Sequence, residues 1–146
     1  MDDLPRTKAH EQERIEMKHY RHAAGCIVFN DNKVLLLRRS IQETSQHGLY
    51  ELPGGKVEGE ESPQETAIIE TKEEAGIDVM IYHELEAHID NSMEKVYHGF
   101  IATIEGELDI MLSEEHDEYC WITIDEALSM DSPLSHHARF LFEQLI

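Results

Sequence analysis

The sequence predicts one α/β domain in which a mixed sheet is covered by two or three helices. Segments rich in β-branched and aromatic residues alternate with helical segments, a pattern typical of an α/β sandwich. The 146 residues, 40% of them hydrophobic, suffice for a single core. Glycine and proline are scattered rather than gathered into a linker. We therefore expect a folded unit over residues 21–146 and a charged, helix-favouring extension over residues 1–20.

The strands and helices are read from the order of these segments. Apolar residues 22–30 and 33–40 flank the turn Asn30-Asp31-Asn32 and predict a hairpin. Pro53-Gly54-Gly55 is expected to exclude regular structure and to allow close approach of the backbone. Further strands are predicted within residues 77–89, 94–106 and 119–124. A short helix is expected from Asp125, and an amphipathic one ends the chain over residues 135–146.

Charge and cysteine content exclude several functional classes. The chain carries 31 acidic and 12 basic residues, a net charge of -19, and has no Lys or Arg from Val96 to Ala138. Such a surface repels phosphate polymers and anionic lipid, so we expect no nucleic acid polymer and no membrane as partner. No signal or membrane segment is recognisable, which favours the cytoplasm. Cys26 and Cys120 lack metal or redox spacing and are predicted to be buried thiols.

The segment EESPQETAIIETKEEAG predicts a well-delimited helix. Ser62 is a good N-cap, Pro63 suits the first helical position, and Glu65 completes a capping box. Gly76 supplies a left-handed stop. The predicted helix runs from Pro63 to Ala75.

Three carboxylates share one face of this helix. At 100° per residue, Glu70, Glu73 and Glu74 lie together, while Ala67, Ile68, Thr71 and Ala75 form the adjoining face that packs on the sheet. Like charges at this spacing repel, and a divalent cation reverses the repulsion. Oxygen ligands of this kind suit Mg²⁺ or Mn²⁺. A merely solvated acidic face is the alternative.

The residues from Gly55 to Ile77 resemble the Nudix box. The pattern runs from Gly55 through five residues to Glu61, and through seven more to Ile69-Glu70-Thr71-Lys72-Glu73-Glu74-Ala75-Gly76-Ile77. The stretches LLLRRS and GLYELPGGKVE resemble the MutT-type branch of that family. The resemblance implies a Nudix-type α/β/α sandwich with a mixed β-sheet, and hydrolysis with Mg²⁺ or Mn²⁺ of a nucleoside diphosphate linked to a further group X. We expect a small nucleotide substrate, a nucleoside triphosphate first and ADP-ribose or another nucleotide sugar second.

The resemblance also implies roles for individual residues. Metal ligands would be Glu70, Glu73, Glu74 and the carbonyl of Gly55. Glu61 would be an auxiliary acidic group, and Lys56 with Arg38 or Arg39 would hold phosphate oxygens. For the general base, the family uses either the box or a glutamate on a later loop. In that loop, here residues 112–118, Glu118 is our first choice and Glu115 the second.

One position departs from the family pattern, because Ile69 stands where the box has an arginine. An arginine there would pair with Glu73, its i+4 neighbour, and fix the ligand carboxylates. Three interpretations follow. Lys72, Lys56 or another base substitutes in part; the enzyme works with looser ligands and a lower rate; or the protein is a catalytically weak Nudix module that binds a nucleotide for regulation. The charged extension over residues 1–20 also makes a homodimer conceivable.

Overall fold

The computed structural model describes residues 19–41 and 47–146. Within them the chain forms eight strands and three helices in an α/β order. The strands are β1 (Arg21–Asn30), β2 (Lys33–Arg39), β3 (Tyr50–Glu51), β4 (Gly54–Lys56), β5 (Val79–Glu84), β6 (His88–Asp90), β7 (Lys95–Ile104) and β8 (His116–Ile122). The helices are α1 (Pro63–Ala75), α2 (Ile124–Ser129) and α3 (His136–Glu143).

The strands form one mixed sheet centred on β1. Its main order is β3-β2-β1-β7-β5, with β4 paired to β1, β6 to β7 and β8 to β2. Strands β1 and β7 are parallel, and the other pairs are antiparallel. Because β7 occupies one edge of β1 throughout, β4 and β2 share the other edge, β4 at the beginning of β1 and β2 at its end. The sheet therefore opens between β1 and β2, where β4 is inserted.

Helices cover both faces of the sheet. One core joins α1 to one face, and its members include Ala67, Ala75, Cys26, Phe100 and Leu37. The second core joins α2 and α3 to the opposite face, and its members include Ala127, Leu141, Phe142, Ile27 and Ile101. The alternation of inward-facing residues along β1 serves both cores. The predicted α/β/α sandwich is confirmed.

Helix α1 has the bounds that its capping residues predict. Ser62 accepts a hydrogen bond from the Glu65 backbone N–H, and Glu65 accepts one from the Ser62 N–H. Gly76 ends the helix at a φ of 75°, with its N–H bonded to the Lys72 carbonyl. Thr71 is buried because its hydroxyl donates to the Ala67 carbonyl at 2.7 Å, which satisfies the one polar group it brings to the core.

The glycine loop, Pro53-Gly54-Gly55, was predicted to exclude regular structure, and this prediction is wrong. Residues Gly54–Lys56 form β4 and pair with Ala23–Gly25. The absence of side chains permits this pairing, since a Cβ on Gly54 would lie 2.4 Å from the Ala24 carbonyl oxygen. The predicted strand segment 77–89 is also divided, into β5 and β6.

The remaining predictions about the chain have mixed outcomes. The two thiols are free, Cys26 buried and Cys120 partly buried. Residues 1–18 of the predicted helical extension lie outside the described residues. Among the helices that are described, none has the length and apolar character needed to cross a bilayer.

Candidate active site

A cleft of about 890 Å³ opens where β1, β3, β4 and β7 meet α1 and the start of α3. One side is acidic, lined by Glu61, Glu70, Glu73, Glu74 and Glu115. Cationic and aromatic side chains line the rest, including Arg21, Arg39, Lys56, Lys95, Tyr97 and His137. The cleft therefore places opposite charges in one enclosed volume, which suits a polyanion bound together with a cation.

The glycine loop is packed directly against the carboxylates of α1. The N–H of Gly54 donates to Oε1 of Glu74 at 2.9 Å. A Cβ on Gly55 would lie 1.8 Å from Oε1 of Glu70, so a side chain there would displace that carboxylate. Gly25 has a related role below the loop, because a Cβ there would lie 2.1 Å from the Tyr97 hydroxyl and 2.7 Å from the Pro53 carbonyl. The backbone of the loop thus lies directly against the Glu70 and Glu74 side chains of α1.

Burial and crowding raise the pKa of two of these carboxyls. For Glu74, burial raises the pKa to about 10, against the lowering effect of the Gly54 hydrogen bond, and Glu115 raises it further. For Glu70, burial and then the neighbouring Glu73 raise the pKa to about 7. Both shifts have the sign expected for carboxylates that lack a balancing positive charge. A divalent cation among them would supply that charge.

Glu115 is brought to the cleft by hydrogen bonds of its own loop. The backbone N–H of Ser113 bonds to the Glu74 carbonyl, and the N–H of Ser40 bonds to the Glu115 carbonyl. A carboxylate oxygen of Glu74, one of Glu115 and a ring nitrogen of His116 lie within 4.8 Å of one another. The ring of His116 is fully buried, and its Nε2 lies 2.8 Å from Oε2 of Glu51, which also contacts Arg39 at 3.3 Å.

Most of the residues predicted for the site line this one cleft. They are Gly55, Lys56, Glu61, Glu70, Glu73, Glu74 and Arg39. Glu61 also accepts a hydrogen bond of 2.7 Å from the hydroxyl of Thr66, which holds it at the start of α1. Glu74 is buried, a depth that the helical wheel alone does not predict because it assigns all three carboxylates to one face.

Arg38 and Glu118 are not brought to the cleft. They pair with each other at 2.8 Å, and Arg38 also contacts Asp117 at 2.8 Å. The cause is an irregularity in β2–β8 pairing, where Arg38 is opposite Glu118 but Arg39 is opposite His116. The extra residue, Asp117, turns the two sides of the bulge in different directions. Arg39 and Glu115 consequently lie at the cleft, while Arg38 and Glu118 form a separate, half-exposed ion pair.

Ile69 lies at the edge of the cleft with 40% of its surface exposed. Lys72, one of the bases considered as a substitute for the missing arginine, has its ammonium 3.4 Å from Asp78. Lys56 does line the cleft. Of the two lysines, only Lys56 is therefore positioned to balance the acidic face.

A stack of rings at the other side of the cleft was not predicted. The His137 ring stacks on Tyr97 with centroids 4.5 Å apart, and its Nδ1 lies 2.9 Å from Nδ1 of His88. His88 in turn stacks on Phe140. At the start of α3, His136 is exposed, whereas His137 is partly buried. The two rings meet through the β6–β7 hairpin and α3, a tertiary contact with no sequence signal.

The residues on the acidic side fit a divalent cation such as Mg²⁺ or Mn²⁺. Their ligand atoms are carboxylate oxygens, the pKa values of Glu70 and Glu74 are raised, and Gly55 has no side chain to displace Glu70. His116 also lies beside Glu74 and Glu115, and its buried Nδ1 has no hydrogen-bond partner among the described residues. This set could hold a hard cation through Glu70, Glu73 and Glu74.

The NUDIX domain model matches residues 19–144. The chain therefore belongs to the NUDIX family. Together with the names of its relatives, this confirms the prediction of a Nudix pyrophosphohydrolase. A CTP pyrophosphohydrolase of Escherichia coli (strain K12) is 30% identical over 104 residues, which cover 71% of this chain and 76% of the relative. An ADP-ribose pyrophosphatase of Bacillus subtilis (strain 168) is 25% identical over 133 residues, covering 88% of this chain and 70% of the relative.

Solved structures give the same assignment. The crystal structure of a MutT protein from Methanosarcina mazei Go1 superposes with a TM-score of 0.72 at 31% identity, covering 86% of this chain and 91% of that one. The solution structure of the E. coli ORF135 protein gives a TM-score of 0.69 at 28% identity, with coverage of 86% and 87%. The sheet and its helices are thus those of Nudix hydrolases.

Proposed function

We propose that this protein hydrolyses a phosphoanhydride bond in a nucleoside diphosphate linked to a group X, with Mg²⁺ or Mn²⁺ as cofactor and a nucleoside triphosphate or related nucleotide as substrate. One observation carries the proposal. The Gly54-Gly55 loop lies against both Glu70 and Glu74, and four Lys and Arg side chains line the same cleft. The names of the relatives, which include CTP and ADP-ribose enzymes, support a nucleotide substrate. On sequence grounds we expect the protein to act in the cytoplasm.

Each part of the cleft has a role in this proposal. A bound divalent cation would neutralise the diphosphate and lower the pKa of a water molecule. Glu70, Glu73 and Glu74 would hold it, with the Gly55 carbonyl as an additional donor. Lys56 and Arg39 would hold phosphate oxygens, which is supported by their place in the lining of the cleft and by the contact of Arg39 with Glu51.

For the general base, the geometry favours Glu115 over Glu118. Glu115 lines the cleft beside Glu74, whereas Glu118 is paired with Arg38 and accepts a hydrogen bond from Tyr50. A base must lie within hydrogen-bond reach of the proton it takes. We propose that a carboxylate oxygen of Glu115 accepts the proton of the attacking water. Glu115→Gln should then lower kcat by about 100-fold or more, and Glu118→Gln should leave it within a few-fold.

The decisive experiment is an assay of substrate hydrolysis. The purified protein is incubated with Mg²⁺ or Mn²⁺ and a panel of nucleoside triphosphates, ADP-ribose and nucleotide sugars, and released phosphate, pyrophosphate and nucleotide are separated. Glu73→Gln, a change on the exposed side of α1, should abolish turnover without unfolding the chain.

The second candidate is a nucleotide-binding module without turnover, and Ile69 favours it because it stands where the family's box has the arginine that would pair with Glu73. Nucleotides that raise the melting temperature while no substrate of the panel is cleaved would establish this alternative and exclude the enzyme.

A further inference from the structure

Among the residues that the structure describes, half of the basic side chains line the cleft. Four of the eight Lys and Arg side chains within residues 19–41 and 47–146 line it, namely Arg21, Arg39, Lys56 and Lys95. Arg39 is bonded to Glu51. Lys56 follows the glycine loop and belongs to the diphosphate end of the proposed site. Arg21 and Lys95 have no role there, and a net charge of -19 makes their placement in a shared cleft notable.

Strand register brings Arg21 and Lys95 side by side. They are direct partners on the parallel strands β1 and β7, which places their Cα atoms about 5 Å apart. Lys56 on β4 is opposite Ala23, two residues along β1 from Arg21, a diagonal distance of about 8 Å. All three side chains leave the sheet on the face that carries Tyr97, because partners in register point the same way.

Arg21 and Lys95 are not neutralised by neighbouring carboxylates. Within the described part of the chain, no carboxylate oxygen lies within 4.0 Å of the cationic group of Arg21, Lys56 or Lys95. Asp90 is opposite Lys95 in register, but its carboxylate is turned to the hydroxyl of Ser92 and the N–H of Met93. Burial, and then Arg21, lower the pKa of Lys95. Like charges opposite each other destabilise a sheet, and a bound anion removes that penalty.

We propose that Arg21 and Lys95 form a second anion subsite, which holds a phosphate of the substrate beyond the diphosphate that Lys56 and the cation at Glu70, Glu73 and Glu74 would hold. Resting on the proposed function, this inference specifies the group X. The subsite favours an X that itself carries phosphate, as in a nucleoside triphosphate, over the uncharged sugar of ADP-ribose or UDP-glucose. Arg21 donates from one Nη to the Met93 carbonyl at 3.2 Å, and its other N–H groups and permanent charge can serve phosphate oxygens. Lys95 adds a point charge.

The first test measures binding without catalysis. Inorganic tripolyphosphate is titrated calorimetrically into metal-free protein at low ionic strength, with wild type, Arg21→Gln/Lys95→Gln and the matched control Lys33→Gln. Lys33 begins β2, is exposed and does not line the cleft. The double variant should bind at least about 10-fold more weakly, the loss of one charged hydrogen bond or more, and the control should match wild type. Equal affinity of the double variant and wild type, or no binding by wild type, overturns the subsite.

The second test separates the subsite from the proposed function. With Mg²⁺, the double variant should lose about 10-fold or more in kcat/KM for CTP, mainly through KM, while kcat/KM for ADP-ribose changes by less than about three-fold. An equal loss for both substrates would mean a general effect on the cleft and would overturn the selectivity. If wild type cleaves neither compound nor any other nucleotide, the proposed function fails, and the tripolyphosphate titration still decides whether Arg21 and Lys95 bind phosphate.

Discussion

The backbone N–H of Gly54 donates a 2.9 Å hydrogen bond to Oε1 of Glu74. Burial raises the pKa of this carboxyl to about 10. The loop is thus fixed to α1 through a group that is costly to ionise in the free protein. Glu74→Gln keeps the acceptor for Gly54 and removes the cost of protonating the carboxyl on folding at a pH above its unfolded pKa. We expect the metal-free variant to be more stable by about 1 kcal/mol or more at pH 8, a rise in melting temperature of roughly 2–4 °C or more.

The same variant should lose metal-dependent hydrolysis by about 100-fold or more, because an amide is a poor substitute for a carboxylate ligand. Glu73→Gln is the matched control, since Glu73 is exposed on the same face. It should lose activity with a change in stability of less than about 0.5 kcal/mol. A destabilised Glu74→Gln would show that the buried group is ionised and paired, contrary to its surroundings in the structure.

The pKa of Glu70 predicts how stability depends on pH and metal. Its ordinary value of 4.5 applies to the unfolded chain, and burial beside Glu73 raises the folded value to about 7. Between these two values the folded state holds a proton that the unfolded state has released, so the contribution to stability falls as pH rises through the interval and stays low above it. A divalent cation binds the ionised form and should offset the loss.

Melting temperatures at pH 5.5 and 8, with EDTA or with millimolar Mg²⁺ or Mn²⁺, test this dependence. The stabilisation by metal should be larger at pH 8 than at pH 5.5 and should shrink in Glu70→Gln. A metal effect that is independent of pH, or unchanged in the variant, would place the cation elsewhere.

Ile69→Arg is expected to strengthen the site. An arginine at this position reaches Glu73, four residues on, and adds a positive charge where Lys72 is paired with Asp78 instead. We expect a several-fold higher kcat/KM at limiting Mg²⁺ and a lower metal concentration for half-maximal rate. Ile69→Leu is the control and should behave as wild type. No gain in either quantity would mean that Lys56 or another base already compensates.

The stack of His137 on Tyr97 predicts sensitivity to acid. Burial lowers the pKa of His137 to about 4, against its ordinary value of 6.5. As pH falls through this interval the unfolded chain takes up a proton that the folded chain does not, so stability is lost. His137→Phe keeps a ring on Tyr97 and cannot titrate, and its melting temperature should fall less between pH 7 and 4.5. His136→Gln, a change at the exposed neighbour, should follow wild type, and the difference between the two variants cancels the opposing effect of Glu70.

The parts of the structure that follow from local chemistry were predictable from the sequence. Ser62, Glu65 and Gly76 delimit α1 because capping depends on neighbours within a few residues. The common face of Glu70, Glu73 and Glu74 follows from helical geometry alone. The spacing of the residues from Gly55 to Ile77 also predicted the family and, through it, the type of reaction.

What the sequence did not predict depends on contacts between distant segments. Glu74 is buried because β4 is inserted against β1, and the choice between Glu115 and Glu118 depends on one extra residue in the β2–β8 pairing. Nothing in the loop sequence marks the position of that bulge. Arg21 and Lys95 are 74 positions apart and become neighbours only through the parallel register of β1 and β7.

The molecule has a net charge of -19, but Lys and Arg side chains line its cleft. The electrostatic force on a nucleotide therefore differs between its approach and its binding. A nucleotide diffusing toward the protein meets a repulsive field at long range, and the attraction of Arg21, Lys56 and Lys95 acts only within about a Debye length. Moderate salt should therefore accelerate the encounter while weakening the hold on the bound anion. A nucleotide that arrives as its magnesium complex, with fewer negative charges, has the lower barrier to entry.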